Sequence, residues 1–188
     1  MTAAPSPSVA RFADLTGDEL RARLREALSL YVTAMRYPKG TAEQRAPMWL
    51  AHMLRAGWRS VVALDADNRM LGVAYGYQGA PGQWWHEQVK RGVTEHRGHE
   101  VAETWMTDYF ELTELHVLPD TQGQGIGNEL VRRLVAGATN GKVLLSTPEG
   151  PSKAWSLYRR LEFQDVLRHY QFAGDPRPFG VLGRTLPL

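Results

Sequence analysis

The sequence predicts a mixed fold of helices and strands, α/β in the broad sense and α+β in layout, within a single domain. Three observations carry this. Leu20, Leu24, Leu28, Tyr31 and Met35 recur at the spacing of one helix face. Ser60-Val61-Val62-Ala63-Leu64 and Met70-Leu71-Gly72-Val73-Ala74-Tyr75-Gly76-Tyr77 read as strands, and Asp65-Ala66-Asp67-Asn68 between them makes an antiparallel hairpin. Phe110-Glu111-Leu112-Thr113-Glu114-Leu115-His116-Val117-Leu118 has strand composition and leads through a polar turn and three alternate glycines into a helical pattern. With 188 residues, 43% hydrophobic and 22% charged, the chain has the size and composition of one domain with a real core.

In chain order, residues 1–8 are rich in Pro, Ser and Ala and read as a flexible tail, leaving 9–188 as the domain. Residues 9–13 suit a short first strand. Thr16-Gly17-Asp18-Glu19 spells a capping box, with Leu15 and Leu20 placed as a hydrophobic staple. One helix should follow and end before Pro38. A second should run over 47–56, with Pro47 in its first turn and Gly57 at its stop. Its buried side would be Trp49, Leu50, Met53 and Leu54. After the hairpin, 78–108 is too long for a bare connection, so it should carry function or structure of its own. It holds Trp84-Trp85-His86, His96, His99 and Trp105. Strands are expected at 142–147, 166–172 and 181–186, with a helix at 154–161.

Composition removes several function classes. Lys and Arg number 22 against 20 Asp and Glu, a net charge of +2 that gives no case for nucleic acid as the main partner. The absence of cysteine excludes a disulfide framework, a thiol nucleophile and cysteine-metal sites, and we expect no metal. The opening Met1-Thr2-Ala3-Ala4-Pro5-Ser6-Pro7 lacks the basic flank and apolar run of a signal peptide, and no stretch approaches the length of a membrane span. The expectation is a cytoplasmic protein that engages no membrane.

The glycine stretch is the centre of the functional reading: Gln122-Gly123-Gln124-Gly125-Ile126-Gly127-Asn128-Glu129-Leu130-Val131-Arg132-Arg133-Leu134. The first N–H groups of a helix lack internal partners and carry the positive end of its dipole. Glycines let a ligand approach the backbone closely, so together they suit a diphosphate. A P-loop would need Gly-Lys-Ser/Thr, and Gly127 is followed by Asn128-Glu129. A dinucleotide fingerprint would need its third glycine one residue later and no Pro119-Asp120-Thr121 before the loop, which disfavours an oxidoreductase.

These residues resemble the acetyl-CoA signature of the GCN5-related N-acetyltransferases, Gln/Arg-x-x-Gly-x-Gly/Ala, which Gln122, Gly125 and Gly127 fill. Glu114-Leu115-His116-Val117-Leu118-Pro119-Asp120 is similar to that family's fourth strand and its exit. Ala154-Trp155-Ser156-Leu157-Tyr158-Arg159-Arg160-Leu161-Glu162-Phe163 is similar to its closing helix, Ala-x-x-Leu-Tyr-x-x-Leu-Gly-Phe. The resemblance implies a mixed, mostly antiparallel sheet of six or seven strands with helices on both faces. It implies transfer of an acetyl group from acetyl-CoA to a primary amine, directly within a ternary complex, by a monomer or homodimer. A covalent acetyl-cysteine route is excluded. The alternative on the same fold is a non-catalytic acyl-CoA-binding or sensing module.

The chemistry then assigns roles. A lysine-like amine has a pKa near 10.4, so roughly one molecule in a few thousand is nucleophilic at pH 7 and a base must take its proton. Glu114, on a strand where a buried carboxylate needs a purpose, is the candidate base, with Glu111 and His116 as alternatives. Tyr158 matches the family position for the acid that protonates the leaving thiolate. Leu115, His116 and Val117 should offer backbone groups to the pantetheine arm and acetyl oxygen. Gln122, Gly123, Gln124, Gly125, Ile126, Gly127 and Asn128 should form the diphosphate cradle. Trp84, Trp85 and Glu111 are candidate acceptor contacts, with the 78–108 stretch folding over the acceptor site. Its aromatic residues favour a small-molecule amine over a protein lysine or N-terminus. Two positions depart from the family pattern. Pro151 stands where an asparagine often contacts pantetheine, and Glu162 replaces the glycine of the closing helix, which implies a differently formed helix end.

Overall fold

Seven strands join in one open, mixed sheet in the computed structural model, which describes residues 8–188. They are β1 (Arg11–Leu15), β2 (Arg59–Leu64), β3 (Met70–Gln78), β4 (Tyr109–Val117), β5 (Lys142–Pro148), β6 (Gln164–Tyr170) and β7 (Phe179–Thr185). Their order across the sheet is β1-β2-β3-β4-β5-β7-β6. The β1–β2, β2–β3, β5–β7 and β6–β7 pairs are antiparallel and β4–β5 is parallel. Among the described residues seven α-helices accompany them: α1 (Gly17–Ala22), α2 (Leu24–Met35), α3 (Thr41–His52), α4 (Trp84–Arg97), α5 (His99–Trp105), α6 (Ile126–Ala136) and α7 (Lys153–Arg160). Most of the expected tail, residues 1–7, lies outside the described residues. The chain falls into two units, Met1–Tyr77 with Glu114–Leu134, and Gln78–Thr113 with Val135–Leu188.

In the first unit the capping box forms as its sequence indicates. Thr16 Oγ1 accepts from the Glu19 N–H at 3.3 Å, and Glu19 Oε2 accepts from the Thr16 N–H at 2.7 Å. The single helix expected over this region is two, broken at Arg23. The reason is tertiary. Arg23 donates to the Asn68 carbonyl at 2.8 Å, and Glu26 Oε1 accepts from the Met70 N–H at 2.7 Å, so both residues serve the β2–β3 hairpin. The next helix starts earlier than expected, at Thr41 rather than Pro47, and ends at His52. Pro47 sits inside it and removes one backbone donor, while Gly40 precedes the first turn. Trp49 and Met53 are buried as expected, but Leu54 is 78% exposed because the helix has already ended. The first strand is displaced by two residues from 9–13. A core of Leu20, Leu28, Tyr31, Trp49, Val62 and Tyr75 lies between α1–α3 and the hairpin strands.

In the second unit the 78–108 stretch is α4 and α5, separated at Gly98. Val89 and Val93 of α4 and Ala102 of α5 enter a core with Tyr109, Leu144, Val166 and Val181. The last two strands begin two residues before their expected starts. Helix α7 is capped by Ser152, whose Oγ accepts from the Trp155 N–H at 3.1 Å.

Candidate active site

The first unit holds the glycine loop. Leu118, just past β4, donates its N–H to the Leu71 carbonyl at 2.9 Å, and a 3-10 turn over Pro119–Thr121 follows. Thr121 Oγ1 donates back to the Leu118 carbonyl at 3.0 Å, and Gln122 Nε2 donates to the Val117 carbonyl at 3.1 Å. The signature glutamine therefore straps the loop to the strand's end. That carbonyl of Val117 is engaged, a point the sequence did not reveal.

Gly123 and Gly125 have φ of 86° and 79°, in the left-handed region that side chains disfavour. A Cβ built on either would meet nothing within 4 Å, and Gly123, Gln124 and Gly125 are exposed. The first backbone bond of α6 runs from the Glu129 N–H to the Gly125 carbonyl at 3.1 Å, so the N–H groups of Ile126, Gly127 and Asn128 precede the helix's own ladder. Buried Ile126 and Leu130 anchor the helix against Gly72 of β3. A Cβ at Gly72 would lie 3.0 Å from Leu130 Cδ1, 3.2 Å from Ile126 Cγ2 and 3.3 Å from the His116 carbonyl. The loop is open, left-handed and donor-rich, and these features fit a diphosphate.

Glu114 and His116 occupy the end of β4 in the same unit, on one face of the strand because they are two residues apart. His116 Nε2 lies 2.5 Å from Glu114 Oε2, with side chains 9% and 14% exposed. The Tyr31 ring meets the His116 ring edge-on, centroids 4.8 Å apart. Burial pushes the Tyr31 hydroxyl above its ordinary pKa, and the negative charge of Glu114 adds to this. Sequence reasoning missed Tyr31, which had read as one member of an apolar helix stripe.

Tyr158 and Glu111 belong to the second unit. Tyr158 is buried at 6% and packs against Phe163, ring centroids 5.5 Å apart. The expectation of an unusual helix end is overturned. Glu162 takes φ 60°, its N–H bonds the Arg159 carbonyl at 3.0 Å, and the Phe163 N–H bonds the Tyr158 carbonyl at 3.0 Å. This is the Schellman pattern that glycine normally supplies, adopted here by a side-chain-bearing residue. Glu111 is buried, with Oε1 3.5 Å from Thr113 Oγ1. Its stretch of β4 pairs with β5 over three registers, Tyr109–Glu111 with Lys142–Leu144.

Trp85 is 9% exposed and donates Nε1–H to Ser146 Oγ at 2.9 Å, so its ring is committed to the second unit's core. Trp84 is 54% exposed, its ring 5.8 Å from that of Phe172. Pro151 is exposed just before the cap of α7. Among the described residues no group of His, Asp and Glu side chains is arranged to hold a metal ion, and no helix is long and apolar enough to cross a membrane.

A family model described as "Acetyltransferase (GNAT) domain" matches residues 58–165. The chain belongs to the GCN5-related N-acetyltransferase family. It is 51% identical over 200 residues to the GCN5-like protein acetyltransferase Rv2170 of Mycobacterium tuberculosis, spanning 93% of this chain and 97% of that protein. Solved structures share the GNAT fold at much lower identity. The ribosomal-protein-S18-alanine N-acetyltransferase of Escherichia coli aligns with a TM-score of 0.63 at 14% identity, over 95% of this chain and 94% of that one. An acetyltransferase from Thermus thermophilus aligns with a TM-score of 0.59 at 15% identity, over 94% of this chain and 96% of that one. In this GNAT chain the glycine loop directly precedes α6, and Glu114 lies near the end of β4.

Proposed function

We propose that this GNAT protein transfers the acetyl group of acetyl-CoA directly to a primary amine on a protein, the ε-amine of a lysine or a free N-terminus. The observation that carries the reading is the open loop at Gly123 and Gly125, leading into α6 immediately after the strand that bears Glu114. Acetyl-CoA would supply an activated thioester whose leaving group is a moderately basic thiolate. The backbone N–H groups of Ile126, Gly127 and Asn128 would hold its diphosphate, and the backbone of Leu115 to Val117 its pantetheine arm. Glu114 provides the carboxylate on which removal of the amine's proton depends, and Tyr158 the hydroxyl that returns a proton to sulfur.

A protein acceptor is favoured by the 51% identical relative, named a protein acetyltransferase. The preference for a small amine that the sequence suggests draws on an aromatic enclosure. That support weakens because Trp85 is spent on core packing.

The test incubates the protein and acetyl-CoA with two amine sets, lysine-bearing or free N-terminal peptides and small polyamines or amino sugars. Released CoA and the mass gain of one acetyl group are the readouts. Release with peptides is the expected result. Release with small amines alone would reassign the acceptor. Saturable acetyl-CoA binding with no release from any amine would make the chain a sensing module.

A further inference from the structure

We propose that Glu114 and His116 act as one proton-accepting couple, in which the imidazole receives the amine's proton and the carboxylate balances its charge. This rests on the amine-acetylating reading above and deepens its account of the base. The two side chains share a face of β4, lie 2.5 Å apart and are both largely shielded from water. A carboxylate accepts hydrogen bonds, so the hydrogen between them resides on Nε2. Nδ1 is then the ring atom with the lone pair. Imidazole is the side chain that most often serves as general base, and the Nδ1 lone pair is the acceptor this couple offers to the amine's proton. A carboxylate behind an imidazole fixes its tautomer and stabilises the imidazolium that forms.

The step balances as follows. One N–H bond of the substrate ammonium breaks, the electron pair stays on the amine nitrogen, and the proton bonds to Nδ1 of His116. The couple passes from carboxylate plus neutral imidazole to carboxylate plus imidazolium, losing its net negative charge. The proton leaves to water before the next turnover. A further titratable group facing the couple is Tyr31 of α2, whose pKa is pushed up by burial and by Glu114, with Arg45 of α3 opposing and Tyr37 adding. Tyr31 therefore stays neutral and does not compete for the proton. Its ring edge against His116 makes it a positioning residue.

The experiment has two arms on the full-length protein. In the first, kcat/KM for acetyl-CoA and an Nα-blocked lysine peptide is measured across pH for the wild type, Glu114→Gln, His116→Gln and the double variant. Each single change is expected to lower kcat/KM about 10²–10³-fold, with the double variant no worse than the poorer single, as for residues working as a unit. In the second, ¹⁵N NMR of the His116 ring in the protein without substrates is expected to show the Nε2–H tautomer in the wild type and loss of that preference in Glu114→Gln. Tyr31→Phe should keep the wild-type pH profile, whereas Tyr31→Leu should lose it. Three results would overturn the couple: His116→Gln within threefold of wild type, losses that multiply in the double variant, or a ring in the Nδ1–H form. If the peptide releases no CoA, the acceptor assignment fails and the same variants are compared on whichever small amine is acetylated; release from no amine at all would fail the amine-acetylating reading and the couple with it.

Discussion

A CoA thiolate leaves with a basicity near that of cysteine, pKa about 8.5, whereas the attacking amine holds its proton to about 10.4. In the roles proposed for them, Tyr158 and Glu114 therefore face unequal tasks. Glu114→Gln is expected to lower turnover at saturating acetyl-CoA by about 10²–10³-fold and Tyr158→Phe by roughly tenfold. The reverse order would remove these assignments. Elsewhere, His52 is buried with Nδ1 2.9 Å from the Tyr75 hydroxyl, and burial, reinforced by Arg55, pushes its pKa from 6.5 down to about 4. Between those values the unfolded chain binds the extra proton and the folded one does not, so stability is full above about pH 6.5 and falls as pH drops towards 4. The loss at the acid end is up to about 3 kcal/mol from this group. Burial lowers the pKa of His86 as well, with the same sign. Urea unfolding at pH 7 and pH 5 should show a shallower acid loss in His52→Gln than in the wild type. The motif marked Glu114, Gln122, Gly125, Gly127 and Tyr158 as candidates in the sequence because fixed spacing carries them. Tyr31 against His116 was not legible, since a helix stripe reports which side is buried and not what it meets there.

Helix ends and loop turns carry the element-scale consequences. Glu162 holds a left-handed conformation at the end of α7 and pairs with Arg184 at 3.0 Å while 74% exposed. Glu162→Gly should remove the strain and stabilise by about 0.5–1 kcal/mol, with little offset from an exposed ion pair. A thermal melt raised by a few degrees is the check, and a lowered one would mean the pair matters more than the backbone. Gly125→Ala is expected to weaken acetyl-CoA binding and to lower the melt by a few degrees, because the loop is open but its left-handed turn disfavours a Cβ. Isothermal titration separates the two effects. Local signals foretold the capping box at Thr16 and the hairpin around Asp65. They failed at α3, where Pro47 suggested a first turn yet lies inside the helix, and at Arg23, where bonds to Asn68 and Met70 divide one expected helix into two. In both places distant partners outweighed local preference.

On the scale of the whole molecule, the mixed seven-stranded sheet matches the expected six or seven strands because alternating helical and extended patterns persist along the chain. The division of the chain between Thr113 and Glu114, inside a single strand, had no sequence signal: the composition of β4 is continuous there. Acetyl-CoA that binds the folded state alone should stabilise the protein by about 2.7 kcal/mol at a hundredfold excess over its Kd. A melt unmoved by acetyl-CoA would count against the cofactor assignment before any amine is tried. The floor beneath the loop adds a last consequence. At Gly72 a single hydrogen occupies the position where a methyl would press on Leu130 and Ile126 from 3.0 and 3.2 Å. The seating depth of α6, and with it the aim of its leading amides, is thus set from underneath by a buried atom. Adding one carbon at that point would lift the helix start, and so should loosen the proposed grip on coenzyme A while leaving every residue of the loop in place.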